Sequence, residues 1–360
     1  MESRFIFNSV LDPHLLSYCS GLVLRIIQLL GHLLKVLFYS AIFKFLLSVV
    51  VLMIVIFQGS AQQVPQYSQY LFNPIYINPA YTGYKNDVFV QTFYRKQWAG
   101  LEGAPSTFGI AADGIIPLHN IGLGVVASSD QLGLQTTQSL YFNGAYHLQV
   151  GEYSFLSFGA GVGFVNYRIK SEKYDPTVAA DPSLIGTGES VIYPDLNIGL
   201  LYYSDRFYAG FSIDHALENI LQINNVDLAV KPKRSYSLTA GALIDLNGYF
   251  SLKPSLLLLD DLKAMTRIDG NLFLQYDQLL GLGLGYRRSF NFFDRVDDIG
   301  LQKEIAFLVM AEIFVRKNFR FGYAFDLPVS GQWSRLNSHE FSLGYMISSP
   351  RSRLKSPRYF

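Results

Sequence analysis

The chain has 360 residues, half of them hydrophobic and 15% aromatic, with only 16% charged and a formal net charge of +1. A soluble domain carries roughly a quarter charged residues, and a near-neutral balance argues against a nucleic-acid binder. From residue 62 onward no uncharged apolar run reaches the ~18 residues of a spanning helix, which leaves a large soluble all-β protein or a β-barrel that faces lipid.

Residues 1–61 differ from the rest. Lys44, the apolar run Phe45 to Phe57 and the small residues Gly59-Ser60-Ala61 before Gln62 follow the order of a secretory signal peptide. Cleavage is expected near Ala61-Gln62. Arg25, Gln28, His32 and Lys35 fall at helical spacing on one stripe. Residues 1–43 therefore read as an amphipathic or membrane-resident extension, or more plainly as an extended n-region or a start taken too early. The single cysteine, Cys19, has no internal disulfide partner, and Tyr18 before it fits a lipoprotein box poorly.

The stretch Gln66 to Gly103 joins this export segment to the first strand. Asn73-Pro74 and Asn78-Pro79 favour extended and turn backbone, because proline restricts its own φ and the residue before it. Gly83 then offers a tight turn into Asp87 to Trp98. Residues 62–86 are read as an extended periplasmic lead-in, 87–348 as a barrel, and 349–360 as a basic, solvated tail with Arg351, Arg353, Lys355 and Arg358.

From Asp87 the pattern is alternation. Ile121, Leu123, Val125 and Ala127 alternate with Gly122, Gly124, Val126 and Ser128, and Leu156, Phe158, Ala160, Val162 and Phe164 with Gly159, Gly161 and Gly163. Period-two patterning of this length signals strands. The spans are 87–98, 104–117, 120–129, 134–150, 153–170, 191–203, 206–214, 233–246, 249–260, 266–277, 279–288, 303–315, 317–327 and 337–348. These make about fourteen strands, each near the length that crosses a membrane at a tilt, and the even number suits an outer-membrane barrel.

The connections alternate too. Short turns fall around Leu118-His119, Gly151-Glu152, Ser204-Asp205, Asn247-Gly248, Gln278 and Lys317, and longer ones at Ser171–Ser190, His215–Pro232, Ser289–Gln302 and Pro328–Leu336. This is the difference between the periplasmic and extracellular ends of an outer-membrane barrel. The fold class is therefore all-β, a transmembrane up-and-down antiparallel β-barrel behind a signal peptide.

Residue type sets the faces. Phe319, Phe321, Tyr323, Phe325 and Leu327 belong on lipid and Arg320, Gly322, Ala324 and Asp326 in the lumen, since a lipid-facing Arg or Lys costs about 2–4 kcal/mol at the midplane. The inward glycines leave room for a ligand, an inserted peptide or water. Lumenal Asp113, Asp195, Asp214, Lys253, Asp269, Arg287, Glu312, Arg320 and Asp326 read as a mutually paired interior, with a substrate path as the alternative. Tyr94, Trp98, Tyr153, Tyr167, Tyr202, Tyr203 and Tyr249 near strand ends suit interfacial girdles.

No motif calls for catalysis or a cofactor. Gly281-Leu-Gly-Leu-Gly and Gly159-Ala-Gly-Val-Gly lack nucleotide-loop spacing and a following helix. His119, His147, His215 and His339 are not spaced as metal ligands. Ser338-His339-Glu340 puts three hydrolase residue types side by side, but adjacent strand residues point to opposite faces. No enzyme, cofactor or metal is expected.

A family resemblance rests on particular residues. Gln66-Tyr67-Ser68-Gln69-Tyr70, Asn73-Pro74, Ile77-Asn78-Pro79-Ala80-Tyr81-Thr82-Gly83, Arg95-Lys96-Gln97-Trp98-Ala99-Gly100 and Gly103-Ala104-Pro105 resemble the N-terminal signature of the PorP/SprF family. Phe207-Tyr208-Ala209-Gly210, Lys253-Pro254-Ser255, Asp269-Gly270-Asn271, Gly322-Tyr323-Ala324-Phe325-Asp326 and Ser338-His339-Glu340 follow in the family's order, so the resemblance covers about 66–347. It implies an outer-membrane barrel of Bacteroidetes, associated with type IX secretion and in some members with gliding motility. The implied partners are outer-membrane lipids, other type IX components, and a secreted cargo protein with a type B C-terminal sorting domain. The long segment before the signal is not part of the family's pattern.

The expected function is export or surface anchoring of such a cargo, with a passive or selective channel and a soluble periplasmic binding protein as alternatives. Asn73, Pro74, Asn78, Pro79, Ala80, Tyr81, Gly83, Arg95, Gln97, Trp98 and Gly100 are the candidate partner-binding or lead-in residues. Two roles stay open for their stretch, contact with periplasmic partners or folding back to narrow the lumen.

Overall fold

The computed structural model describes residues 66–116, 118–169, 190–218, 233–262, 264–277, 279–291, 304–315, 318–330 and 336–347. The expected signal peptide and the basic tail lie outside the described residues. Strands follow the alternation: β1 (Val88–Lys96), β2 (Ser106–Ile116), β3 (Ile121–Leu132), β4 (Gln135–Gln149), β5 (Phe155–Ile169), β6 (Ser190–Tyr203), β7 (Phe207–Asp214) and β8 (Ser235–Ala242). They continue as β9 (Ile244–Asp245), β10 (Phe250–Asp260), β11 (Thr266–Tyr276), β12 (Leu280–Phe290), β13 (Ile305–Val315), β14 (Phe319–Ser330) and β15 (Ser338–Ile347).

Each strand pairs antiparallel with its sequence neighbours, and β1 pairs with β15 from Val88↔Ile347 to Lys96↔His339, which closes the ring. β8 and β9 both pair with β10 and are two pieces of one strand, so the described residues form a closed barrel of fourteen strands. Closure pairs the edges that an open sheet leaves unsatisfied. Among the described residues no helix is long and apolar enough to cross a membrane.

The faces separate as residue type dictates. On β5, Phe158, Val162 and Phe164 are exposed, while Ser157 and Val165 are buried. On β14, Phe319, Phe321 and Leu327 are exposed and Arg320, Ala324 and Asp326 buried. The outer surface is therefore a continuous apolar belt and the charged groups lie within.

Three local expectations need correction. The strand expected over 233–246 is interrupted at Leu243: its N–H keeps the β7 register by donating to Arg206 O at 2.8 Å, but on the other side Pro254 of β10, opposite Ala242, has no N–H to carry the ladder on. β3 and β4 extend until only Gly133-Leu134 joins them, with Gly133 at φ 57, in the left-handed region that glycine adopts freely. Tyr167 and Tyr203 are not girdle residues: both are buried inside. Strand alternation explains this, because Tyr203 follows the outward Tyr202 and Tyr167 is in phase with the inward Val165.

Candidate functional site

The site begins at the two Asn-Pro steps. Pro74 and Pro79 each open a short 3₁₀ turn, Pro74–Tyr76 and Pro79–Tyr81, and Asn78 caps the second by accepting the Ala80 N–H at 2.8 Å. Proline at the first position of a turn has the right φ and lacks only a donor that would have no partner there. The outcome is a compact string of turns in place of the extended lead-in expected from sequence. Ser68, Gln69, Ala80 and Thr82 have no exposed surface. Residues 67–85 lie inside the barrel, which is the second of the two roles left open.

The segment runs opposite to β1. Ser68 and Gln69 meet the inner faces of β1, β14 and β15 near the end that carries the longer connections, and Thr82 and Gly83 meet β2, β3 and β4 near the short-turn end. At the first end, the Glu340 carboxylate accepts the N–H groups of Ser68 and Gln69 at 2.8 and 3.0 Å. The Gln69 side chain donates to Glu340 O at 2.7 Å and accepts from Ser342 Oγ at 2.6 Å. Ser68 Oγ donates to Asp326 at 2.7 Å and accepts from Arg95 at 2.8 Å and Arg287 at 3.0 Å.

Arg95 pairs with Asp326 at 2.7 Å and Glu340 at 3.1 Å, and Arg287 with Asp326 and Asp269, both at 3.0 Å. Arg267 pairs with Asp269 and donates to Tyr67 O at 3.1 Å. Three guanidinium groups thus face three carboxylates, all buried. Buried charge is tolerated when it is paired and hydrogen-bonded.

Lower in the lumen, Arg320 donates to Phe72 O and Asn73 Oδ1, both at 2.6 Å, and lies 5.3 Å from the centre of the Phe72 ring. Its Nε is 4.0 Å from Glu312 Oε1, too long for a hydrogen bond. The Lys85 ammonium sits 3.4 Å from the Phe89 ring centre, and Lys253 is buried nearby on β10. Asp113 accepts the Gly83 N–H at 2.8 Å. Gly83 needs its residue type, since at φ 77 a Cβ would lie 2.7 Å from Gly122 Cα and 2.9 Å from Gly114 O.

Across the lumen the wall is neutral. Ser212 Oγ donates to Ile77 O at 2.6 Å and Ser157 Oγ to Ala80 O at 2.8 Å. Asn78 donates to Leu200 O and Phe211 O, each at 3.1 Å. His147 Nε2 lies 2.8 Å from Thr82 O. Because a carbonyl only accepts, Nε2 carries the hydrogen, and Nδ1 lies 3.0 Å from Tyr203 OH. Tyr70, Leu71, Phe72, Ile77, Tyr81 and Tyr84 pack with Leu201, Tyr208, Leu257, Phe273 and Met310, so the segment supplies nearly half of this apolar cluster and the strands the rest.

A third polar group lies apart from these contacts. Asp195 accepts from Tyr141 OH and pairs with His215 Nδ1, each at 2.6 Å, and Asp214 ends β7 beside them. Burial works against the charged form of His215, but its hydrogen bond to Asp195 and the charges of Asp195, Asp214 and Glu218 outweigh it and hold its pKa above the ordinary histidine value.

The residues singled out from sequence thus divide. Asn73, Pro74, Asn78, Pro79, Ala80, Tyr81 and Gly83 belong to the filling segment and Arg95 to its charged anchor. Gln97, Trp98 and Gly100 lie in the β1–β2 connection, where Trp98 N–H donates to Ser338 Oγ at 3.1 Å and Ala99 N–H to Asn337 O at 2.7 Å. Of the nine inward charges, Arg287 and Asp326 bond Ser68 while Asp269 pairs with Arg267 and Arg287, Asp113, Lys253, Glu312 and Arg320 lie lower, and Asp195 and Asp214 stand with His215. Sequence reasoning missed Arg267, Glu340, Ser342, His147, Ser157 and Ser212. Their strand phase was the available signal: Arg267 shares a face with Asp269, and Ser342 with Glu340. Ser338 and Glu340 point inward while His339 meets Tyr323 OH at 2.9 Å on the other face.

The family model described as "Type IX secretion system membrane protein PorP/SprF" matches residues 59–345. No curated protein matches the chain. Among solved structures, the CymD monoaromatic hydrocarbon channel is 12% identical with a TM-score of 0.43, over 81% of this chain and 94% of that one. An outer membrane channel from Pseudomonas putida is 11% identical with a TM-score of 0.40, over 73% and 96%. A KdgM porin is 9% identical with a TM-score of 0.35, over 72% and 100%.

Proposed function

The chain belongs to the PorP/SprF family of type IX secretion system membrane proteins, and from that premise we propose that it partners a secreted protein with a type B C-terminal sorting domain, helping to export it or to hold it at the cell surface. Family and fold are those of an outer-membrane secretion barrel and not of an enzyme class. Membership implies contact with the membrane and with other secretion components. The longer connections mark the extracellular end and the short turns the periplasmic one.

One observation supports an anchoring role over free passage of solutes. The lumen is occupied by residues 67–85 of the chain, with Ser68, Gln69, Ala80 and Thr82 wholly buried. A diffusion pore needs an open aqueous path, and this path holds packed protein. The surfaces left for a partner are the outer rim and the end of the segment near Tyr67.

Affinity purification of the full chain from native outer membranes tests the reading. A sorting-domain protein recovered in stoichiometric amount is expected, and the same preparation in a planar bilayer should conduct little. The second reading, a passive or selective channel, draws on the charged lumen. Steady conductance by the intact barrel, with no sorting-domain protein recovered, would put the channel in place of the anchor.

A further inference from the structure

We propose that the lumen is a peptide-binding site that reads main chain, and that it accepts a second polypeptide segment in place of residues 67–70: one with a hydroxyl residue followed by a carboxamide, flanked by aromatic rings. The resident segment is its ligand in cis. The inference stands whichever protein supplies the second segment, and does not depend on the cargo reading above.

The wall addresses backbone atoms along the whole segment. Glu340 takes two successive N–H groups, from Ser68 and Gln69. Arg267 and Arg320 donate to the carbonyls of Tyr67 and Phe72. The Ser212 and Ser157 hydroxyls and the His147 ring serve the carbonyls of Ile77, Ala80 and Thr82. Bonds of this kind are indifferent to the side chains of the ligand, which is how extended peptides gain affinity in other recognition modes.

The glycines point the same way. A Cβ on Gly122 would strike Thr82 O, one on Gly159 the Ala80 backbone, and one on Gly199 the Asn78 side chain. The wall is thus shaped for another main chain to lie against it. Side-chain contacts are densest at the outer end, with Ser68 Oγ among Arg95, Arg287 and Asp326, the Gln69 amide between Glu340 O and Ser342 Oγ, and Tyr70 OH on Ser255 Oγ at 2.9 Å. Further in, the side chains of Asn73, Asn78 and Tyr81 meet Arg320, the Leu200 and Phe211 carbonyls, and Thr239.

A wall built only to close a lumen would fill it with its own apolar side chains at native packing density. This wall instead presents buried charges and hydroxyls that lose partners whenever the segment leaves, and unpaired buried groups are costly. The demand is for a peptide. Exchange starts at residues 67–70 because that end faces the longer connections, whereas Gly83 is tied within a few residues to β1.

The test uses the full-length barrel carrying Ser68→Ala and Gln69→Ala, and a fluorescein-labelled synthetic peptide of native residues 66–84. Addition at about millimolar concentration matches the effective concentration of a short tethered segment. Bound label after gel filtration is the readout, with heat-modifiable mobility reporting a folded barrel. The variant should retain at least about tenfold more native peptide than the unsubstituted barrel does, and at least about tenfold more than it retains of a peptide with the same two substitutions. Equal retention by both barrels, or equal retention of both peptides, overturns the proposal. If the double variant does not fold, Gln69→Ala alone is held to the same two comparisons.

Discussion

The two halves of the inserted segment are held by opposite chemistries. Residues 67–73 meet arginines and carboxylates of β1, β11, β12, β14 and β15, whereas residues 77–82 meet serines, a histidine, backbone carbonyls and glycines of β3 to β7. A charged contact concentrates energy in a few atoms and punishes the loss of any one, because its partners stay buried and unpaired. A neutral contact spreads smaller terms over many atoms and sets shape instead. The first half is therefore an anchor and the second a fit. Each can be broken without the other.

Substitution of Arg287 by alanine should have the largest effect. It strips Asp269 and Asp326 of a shared cation and Ser68 of a donor, a change worth about 3–5 kcal/mol for a buried pair. Urea unfolding in micelles should show the loss, and planar-bilayer conductance should rise as the segment leaves. A cost no larger than that of a serine substitution would dissolve the distinction between the halves.

Gly159→Val comes next. Its side chain would collide with the backbone of Ala80, at the roughly 1–3 kcal/mol of an overpacked core. A cysteine placed at Ala80 should then react with a thiol reagent while one placed at Tyr70 stays protected. Equal reactivity of both positions would mean that the segment moves as one body. Ser212→Ala removes one hydroxyl bond to Ile77 O and should cost about 1 kcal/mol, with both cysteines still protected.

The smallest effect lies outside the segment's own contacts. His215 is held above its ordinary value by Asp195 and the carboxylates around it. A group whose pKa is raised on folding stabilises the fold fully below its unfolded value, about 6.5 for histidine, and loses that contribution as pH rises through the raised value. The melting temperature of the native barrel should fall across that window more than that of His215→Gln. Parallel curves would remove the pair from the stability of the β6–β7 end.

Much of the fold was legible because a lipid-facing strand has no latitude: Phe158, Val162 and Phe164 must alternate with Gly159, Gly161 and Gly163, and one slip would expose the wrong set. The break at Leu243 was not legible in its own strand, since Leu243 continues an apolar pattern; its cause is on the facing strand, where Pro254 lies opposite Ala242 and lacks an N–H. Tyr203 was misplaced because aromatic type was weighed above strand phase. The lumenal charges could be read from phase, but their filling could not. An inward glycine makes the same room for water, a ligand or a peptide, and only the folded chain puts Ala80 against Gly159. Glu340 was weighed with Ser338 and His339 as a false triad, and its role rests on two N–H groups far away in sequence.

That distance carries a consequence for how the protein is assembled. Arg95 and Glu340, 245 positions apart, face each other across the seam where the first and last strands join, and Ser68 touches both. The cradle for residues 68–69 therefore does not exist until the C-terminal strand has arrived. Contacts of such separation form late, after the cost of ordering the intervening chain has been met. The inserted segment is then the latch of the closure step: it has no binding place in an open sheet, and once seated it ties the two edges of the seam to a common ligand.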